Sequence, residues 1–106
     1  MERTKPFYSQ KQIRNHISNG RIQITKKARE TAQKDFGWGI DDVCKALSIL
    51  PVKCWYKSDV RYDDPKIWVD YYRARNLKGE NIYTHFYIDG EYLIIDSFKE
   101  LSNEVS

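Results

Sequence analysis

The segment GENIYTHFYIDGEYLIIDSFKE, residues 79–100, carries Tyr83, His85 and Tyr87 at alternate positions. Side chains two apart on a strand share a face, so these three polar rings would stand in one row. Histidine, with a reference pKa of about 6.5, exchanges a proton near neutral pH, whereas tyrosine does so only in a perturbing environment. Upstream, Arg61, Arg73, Arg75 and Lys78 fall among Trp55, Tyr56, Tyr62, Trp68, Tyr71 and Tyr72. Cations interleaved with aromatic rings suit a ligand with phosphates and flat bases. Arg73 and Arg75 share a strand face and can clamp phosphate oxygens, while Tyr71 and Tyr87 offer rings for stacking. The same residues also describe the wet side of a hairpin in a sheet built from good strand formers.

Such a row needs a sheet to align it. The aromatic and β-branched runs VKCWYKSDVRY, KIWVDYYRARN, NIYTHFYI and EYLIIDSFKEL are separated by DDP, LKGE and DG, which predicts four antiparallel strands joined as a meander. Alternation sends Ile82, Phe86 and Ile88 to one face and Tyr83, His85 and Tyr87 to the other. By the same count Trp68 belongs to the core, while Trp55 shares parity with Lys57 and borders the ring face. Ahead of the strands, Ser9 caps a helix over 10–19 that carries Ile13 and Ile17 on one side and ends at Gly20. RIQIT is a short strand or an extended link. Thr25 caps a second helix through Lys34, with Ala28, Ala32 and Phe36 four apart, and Gly37 and Gly39 break it. Asp41 or Asp42 caps a third, DDVCKALSIL, which Pro51 stops. Helices first and strands afterwards predict an α+β domain, with helices on one face of the sheet and the other face open.

A chain of 106 residues, 41% hydrophobic and 31% charged, is expected to form one domain over 1–106 with no membrane span. No apolar run follows the basic start MERTKPFYSQKQIRN, so no secretory signal is expected and the cytoplasm is the expected compartment. A net charge of +3 does not by itself announce a nucleic-acid binder. Cys44 and Cys54 are expected as free thiols packed like small hydrophobes. With His16 and His85 they match no zinc spacing, so neither a metal site nor another cofactor is expected.

WYKSDVRYDDPKIWVDYYRAR followed by YLIIDSFKE resembles the MqsR family, the motility quorum-sensing regulators that act as toxins of bacterial toxin–antitoxin pairs. The similarity runs from NHISNGRIQITKKA to SFKE and is strongest from Trp55 to Arg75. The resemblance implies a RelE-like fold, with N-terminal helices packed on one face of a mainly antiparallel sheet of four strands or slightly more. It implies sequence-selective, metal-independent cleavage of messenger RNA that stops translation and growth. It also implies a cognate, co-encoded antitoxin, with DNA met only through that partner. Carried over, the site falls on Lys57 of YKS, Tyr83 of NIY and Lys99 of SFK. Two positions depart from the family pattern. Val69 stands where the family has glutamine, and the last strand is one residue longer, which a bulge near Asp96 would absorb.

RNA cleavage without a metal must remove the 2′-hydroxyl proton, stabilise an anionic phosphorane and protonate the departing 5′-oxygen. Lys57 and Lys99 are cations at neutral pH and suit the second task. Tyr83, surrounded by cations, is expected to lose its proton more easily and to act as base or acid, with His85 the rival proton carrier. Arg61, Arg73 and Arg75, with Tyr71 and Tyr87, are the expected RNA-binding residues. Two other readings use the same residues: a noncatalytic RNA-binding or adaptor domain, and a structural domain that binds a partner through an exposed strand edge.

Overall fold

The computed structural model describes residues 3–101, and its elements follow the local signals closely. Helix α1 (Gln10–Ser18) begins at Ser9 in a capping box: the Ser9 hydroxyl accepts from the Gln12 N–H, and the Gln12 side chain accepts from the Ser9 N–H. RIQIT is a strand, β1 (Ile22–Ile24). Helix α2 (Lys26–Phe36) runs to Phe36, not Lys34, because only at Gly37, with φ 71°, does the chain turn left-handed. Helix α3 (Ile40–Ser48) is capped by Gly39, neither aspartate being the cap. Asp42 instead lies in the first turn and accepts from the Gly39 N–H at 3.3 Å, satisfying a group that the helix cannot. After Pro51 a 3-10 turn (Val52–Cys54) takes residues expected to begin a strand.

Four strands then form the expected meander: β2 (Trp55–Val60), β3 (Trp68–Leu77), β4 (Glu80–Asp89) and β5 (Tyr92–Glu100). The sheet order is β1-β5-β4-β3-β2, antiparallel throughout except that β1 runs parallel to β5, with Ile22 opposite Leu93 and Ile24 opposite Ile95. The fold is therefore α+β with a five-stranded mixed sheet. Among the described residues no helix is long and apolar enough to cross a membrane.

One face of the sheet meets the helices. Ile13 of α1, Ala28 and Ala32 of α2, and Val43 and Leu47 of α3 pack with Tyr72, Ile82, Phe86, Ile95 and Phe98. Full burial of a side chain such as Phe86 or Phe98 contributes about 1.5–3 kcal/mol. Trp68 is not part of this core. It sits half-buried at the sheet corner, stacked on Phe7 at 5.6 Å. Phe7 is held there by Asp70, a fully buried carboxylate that accepts from the Phe7 N–H (3.0 Å), the Tyr8 N–H (2.9 Å) and the Ser58 hydroxyl.

Strand β1 covers only Leu93–Ile95 of β5. Beyond that point α2 side chains take over the outer edge. Thr25 Oγ1 donates to the Asp96 carbonyl (3.3 Å), Thr31 Oγ1 donates to the Phe98 carbonyl (2.6 Å), and Asp35 accepts from the Glu100 N–H (2.9 Å). These bonds occupy backbone groups that another strand would need. They also fix α2 beside the open face.

Candidate active site

Two β-bulges decide which side chains share the open face. At the first, Trp55 pairs with Tyr72 and Lys57 with Tyr71, leaving Tyr56 as the extra residue. Trp55 consequently turns to the helix side, where it packs on the core and its indole donates to Ser58 Oγ at 3.0 Å. It does not border the site, contrary to simple alternation. Tyr56 lies with Lys57 on the open face instead, under the Arg73 guanidinium at 3.9 Å and 6.2 Å from the Tyr71 ring.

The second bulge falls at Asp96, where the resemblance led one to be expected. His85 pairs with Ser97 and Phe86 with Ile95, so Asp96 is unpaired in the register. This restores Lys99 to the position opposite Tyr83. It also brings a carboxylate onto the ring face, with Asp96 Oδ2 3.4 Å from His85 Nε2.

Two rows now cross the sheet. One contains Lys57, Tyr71, His85 and Ser97, and the other Arg73, Tyr83 and Lys99. Within the first, Lys57 Nζ lies 4.5 Å from the Tyr71 ring centre and the Tyr71 and His85 rings are 4.8 Å apart. The rows are joined by the Tyr83 hydroxyl, 3.0 Å from His85 Nδ1. Lys99 Nζ is 5.3 Å from the Tyr83 ring. Tyr83, His85, Asp96, Ser97 and Lys99 line a hollow of about 310 Å³, closed on one side by Lys27 and Thr31 of α2.

Burial sets the proton affinities here. Tyr83 is pushed strongly up, by desolvation first and then by Tyr56 and Tyr71, and Arg73 only partly opposes this. The expectation that surrounding cations would ease its ionisation is therefore reversed: loss of water around the phenolate outweighs one nearby guanidinium. His85 is moved down by burial, with the Asp96 carboxylate pulling it up and Lys99 and Lys57 pushing it further down. At neutral pH its imidazole is thus uncharged and able to accept a proton.

Residues 5–100 match the family described as motility quorum-sensing regulator, toxin of MqsA. The chain belongs to this family. Over 100 residues it is 31% identical to the mRNA interferase toxin MqsR of Escherichia coli strain K12, covering 94% of this chain and 99% of that protein. The matched span includes every element from α1 to β5.

Other expected residues of this MqsR-family chain lie outside the two rows. Tyr87 is only 8% exposed and packs with Tyr8 and Val69, and the Arg61 guanidinium covers its ring at 4.3 Å. It is not an open stacking platform. Arg61 itself is engaged by Asp63 through two bonds of 2.9 and 3.0 Å. Arg75 follows Arg73 along β3, beyond the second row. Val69, where glutamine was expected from the resemblance, is buried in the cluster with Tyr8. Cys44 and Cys54 are free thiols, half-buried, and burial with Asp41 nearby pushes Cys44 up. Sequence reasoning assigned no site role to Tyr56, Asp96, Lys27 or Thr31. The extra residue in the last strand was the signal for Asp96; nothing local marks α2 as a wall of the hollow.

Proposed function

We propose that this chain is the toxin of a type II toxin–antitoxin pair, a sequence-selective endoribonuclease that cuts messenger RNA without a metal and so stops translation and growth. The observation that carries this reading is the convergence of Lys57, Tyr83 and Lys99, from three strands, on one open face. RNA lies across the two rows, with Arg73 and Arg75 on phosphates and Tyr71 beneath a base, a contact contributing about 1–3 kcal/mol. Lys57 and Lys99 stabilise the phosphorane through their positive charge. Tyr83, between them and against His85, carries the proton transfer, and a lysine ammonium protonates the departing 5′-oxygen.

The arrangement of helices behind an open sheet supports a RelE-like assignment within the α+β class. The partner is an antitoxin of the kind that the family description names, encoded beside this chain, and DNA is met only through it. Strand β2 is last in the sheet order and offers an edge that a partner strand can extend. The toxin acts in the cytoplasm, where its messenger substrate is translated.

The test is expression of the protein alone, with growth followed and RNA ends mapped, beside in vitro cleavage with chelator present. Growth arrest and chelator-resistant cleavage are expected. Cleavage abolished by chelator and restored by magnesium would overturn the metal-free chemistry, and undiminished cleavage by Lys57→Ala, Tyr83→Phe and Lys99→Ala would overturn the site.

A further inference from the structure

The Asp96 carboxylate, the His85 imidazole and the Tyr83 hydroxyl form a continuous line: 3.4 Å from Oδ2 to Nε2, then 3.0 Å from Nδ1 to the phenolic oxygen. Asp96 reaches this line only because the β5 bulge leaves it out of register. The line ends at the hollow bounded by Lys99 and Lys27. A carboxylate facing Nε2 favours the ring proton there, and in that tautomer Nδ1 accepts from the Tyr83 hydroxyl, whose other neighbour is Tyr56. The longer of the two contacts is of the kind that tightens when substrate excludes water.

We infer that His85 and Asp96 form a proton relay behind Tyr83, so that Tyr83 passes the substrate's proton inward without having to ionise first. The inference rests on the reading of this face as the RNA-cleaving site. In the attack step the 2′-oxygen bonds to phosphorus while its proton moves to the Tyr83 oxygen. The proton already on Tyr83 moves to His85 Nδ1, and the resulting imidazolium faces the Asp96 carboxylate. The bond from phosphorus to O5′ breaks, its electron pair stays on O5′, and that oxygen takes a proton from a lysine ammonium of the same face. The products are a 2′,3′-cyclic phosphate and a 5′-hydroxyl. His85 then returns its proton to solvent and the lysine regains one. Tyr83 is the catalytic residue that touches RNA, and Asp96 is a positioning residue acting through His85.

This scheme answers a difficulty in the site. A tyrosine whose ionisation is suppressed by burial is a poor base alone, whereas a neutral imidazole bonded to it supplies the missing acceptor. The charged and titratable groups around His85 are Asp96 and Lys99 of β5, Tyr83 on its own strand, Tyr71 of β3, Lys57 of β2, and Lys27 of α2 in the same hollow. Asp59 and Arg61 line the adjoining surface with it. Of these, Asp96 alone both contacts the ring edge and favours the imidazolium.

The experiment is single-turnover cleavage of a messenger fragment that the wild-type protein cuts, measured across about pH 5–8 beside equilibrium RNA binding. The wild-type rate should rise with pH as His85 loses its proton, then level. Asp96→Asn should lower the plateau by about 10²-fold without weakening RNA binding, because the imidazolium loses its counter-charge. It should also move the acid limb to lower pH, since removing the carboxylate disfavours protonation of His85. Asp96→Glu should recover part of the rate. A wild-type plateau in Asp96→Asn, or a lower plateau with an unmoved acid limb, overturns the relay. If Asp96→Asn and His85→Ala are fully active while Tyr83→Phe and Lys99→Ala are not, the relay fails and the site stands. If all four cleave normally, the site reading itself has failed.

Discussion

Asp70 of β3 and Asp96 of β5 present the same carboxylate in two regions of one sheet. Asp70 is sealed from solvent and accepts three hydrogen bonds, two from the backbone of the N-terminal segment and one from Ser58. Every bond fastens one part of the chain to another. Asp96 has a side chain 41% exposed, and the partner it faces is a titratable ring. The difference teaches how to tell a structural carboxylate from a functional one without a ligand. A buried charge persists only when donors satisfy it, and once satisfied it has no capacity left for substrate. A half-exposed charge aimed at an imidazole keeps that capacity.

The strongest way to break this comparison lies on the open face. Tyr83→Phe should slow RNA cleavage by about 10²–10⁴-fold, since it removes the hydroxyl and keeps the ring. RNA affinity and melting temperature should barely move. A variant cleaving at the wild-type rate would remove Tyr83 from the chemistry.

Next in size is the contrast at the buried aspartate. Asp70→Ala should cost about 2–3 kcal/mol in urea unfolding, because the Phe7 and Tyr8 N–H groups lose their acceptor and the strap over Trp68 loosens. Cleavage per folded molecule should be close to normal. If activity instead fell as far as in Tyr83→Phe, the separation of the two carboxylates would collapse.

Smaller effects sharpen the picture at its margins. Thr31→Val should destabilise by about 1 kcal/mol in the same unfolding assay, as the Phe98 carbonyl loses its hydroxyl donor. Because Thr31 also lines the hollow, a modest loss of RNA affinity should accompany it. Tyr87→Phe should be the quietest change, with cleavage and RNA affinity within about twofold, since a ring buried against Tyr8 and Val69 under Arg61 has no open face to offer a base, unlike the half-buried Tyr71. A tenfold loss of affinity would mean that Arg61 moves aside for RNA.

Much of the fold was legible in the chain itself. Ser9, Thr25 and Gly37 mark helix ends through hydrogen bonds and backbone conformations that involve only near neighbours. Pro65, Gly79 and Gly90 separate β2, β3, β4 and β5, and alternation correctly sends Ile82 and Phe86 to the core while Tyr83 and His85 face away. Motif order and spacing were enough for the family and for the candidates Lys57, Tyr83 and Lys99. The helix ends, turns and faces each depend on a short window of residues, and the family on the order of such windows along the chain.

Tertiary structure decided the rest. RIQIT became a strand only because β5, far along the chain, gave it a parallel partner. Trp55 and Tyr56 fell on the faces they occupy because one inserted residue reverses the parity of everything on one side of it. Tyr87 left the open face as a usable ring when Tyr8 and Arg61 closed over it. The direction in which Tyr83 titrates followed from burial by residues of neighbouring strands. The reason is the same throughout. Local pattern encodes which backbone state a segment prefers and which of its sides is apolar, but register, burial and the distance between two charges are set by segments that meet only after folding. The distance between Asp96 and His85 is of that second kind, even though a bulge near Asp96 was expected from the sequence.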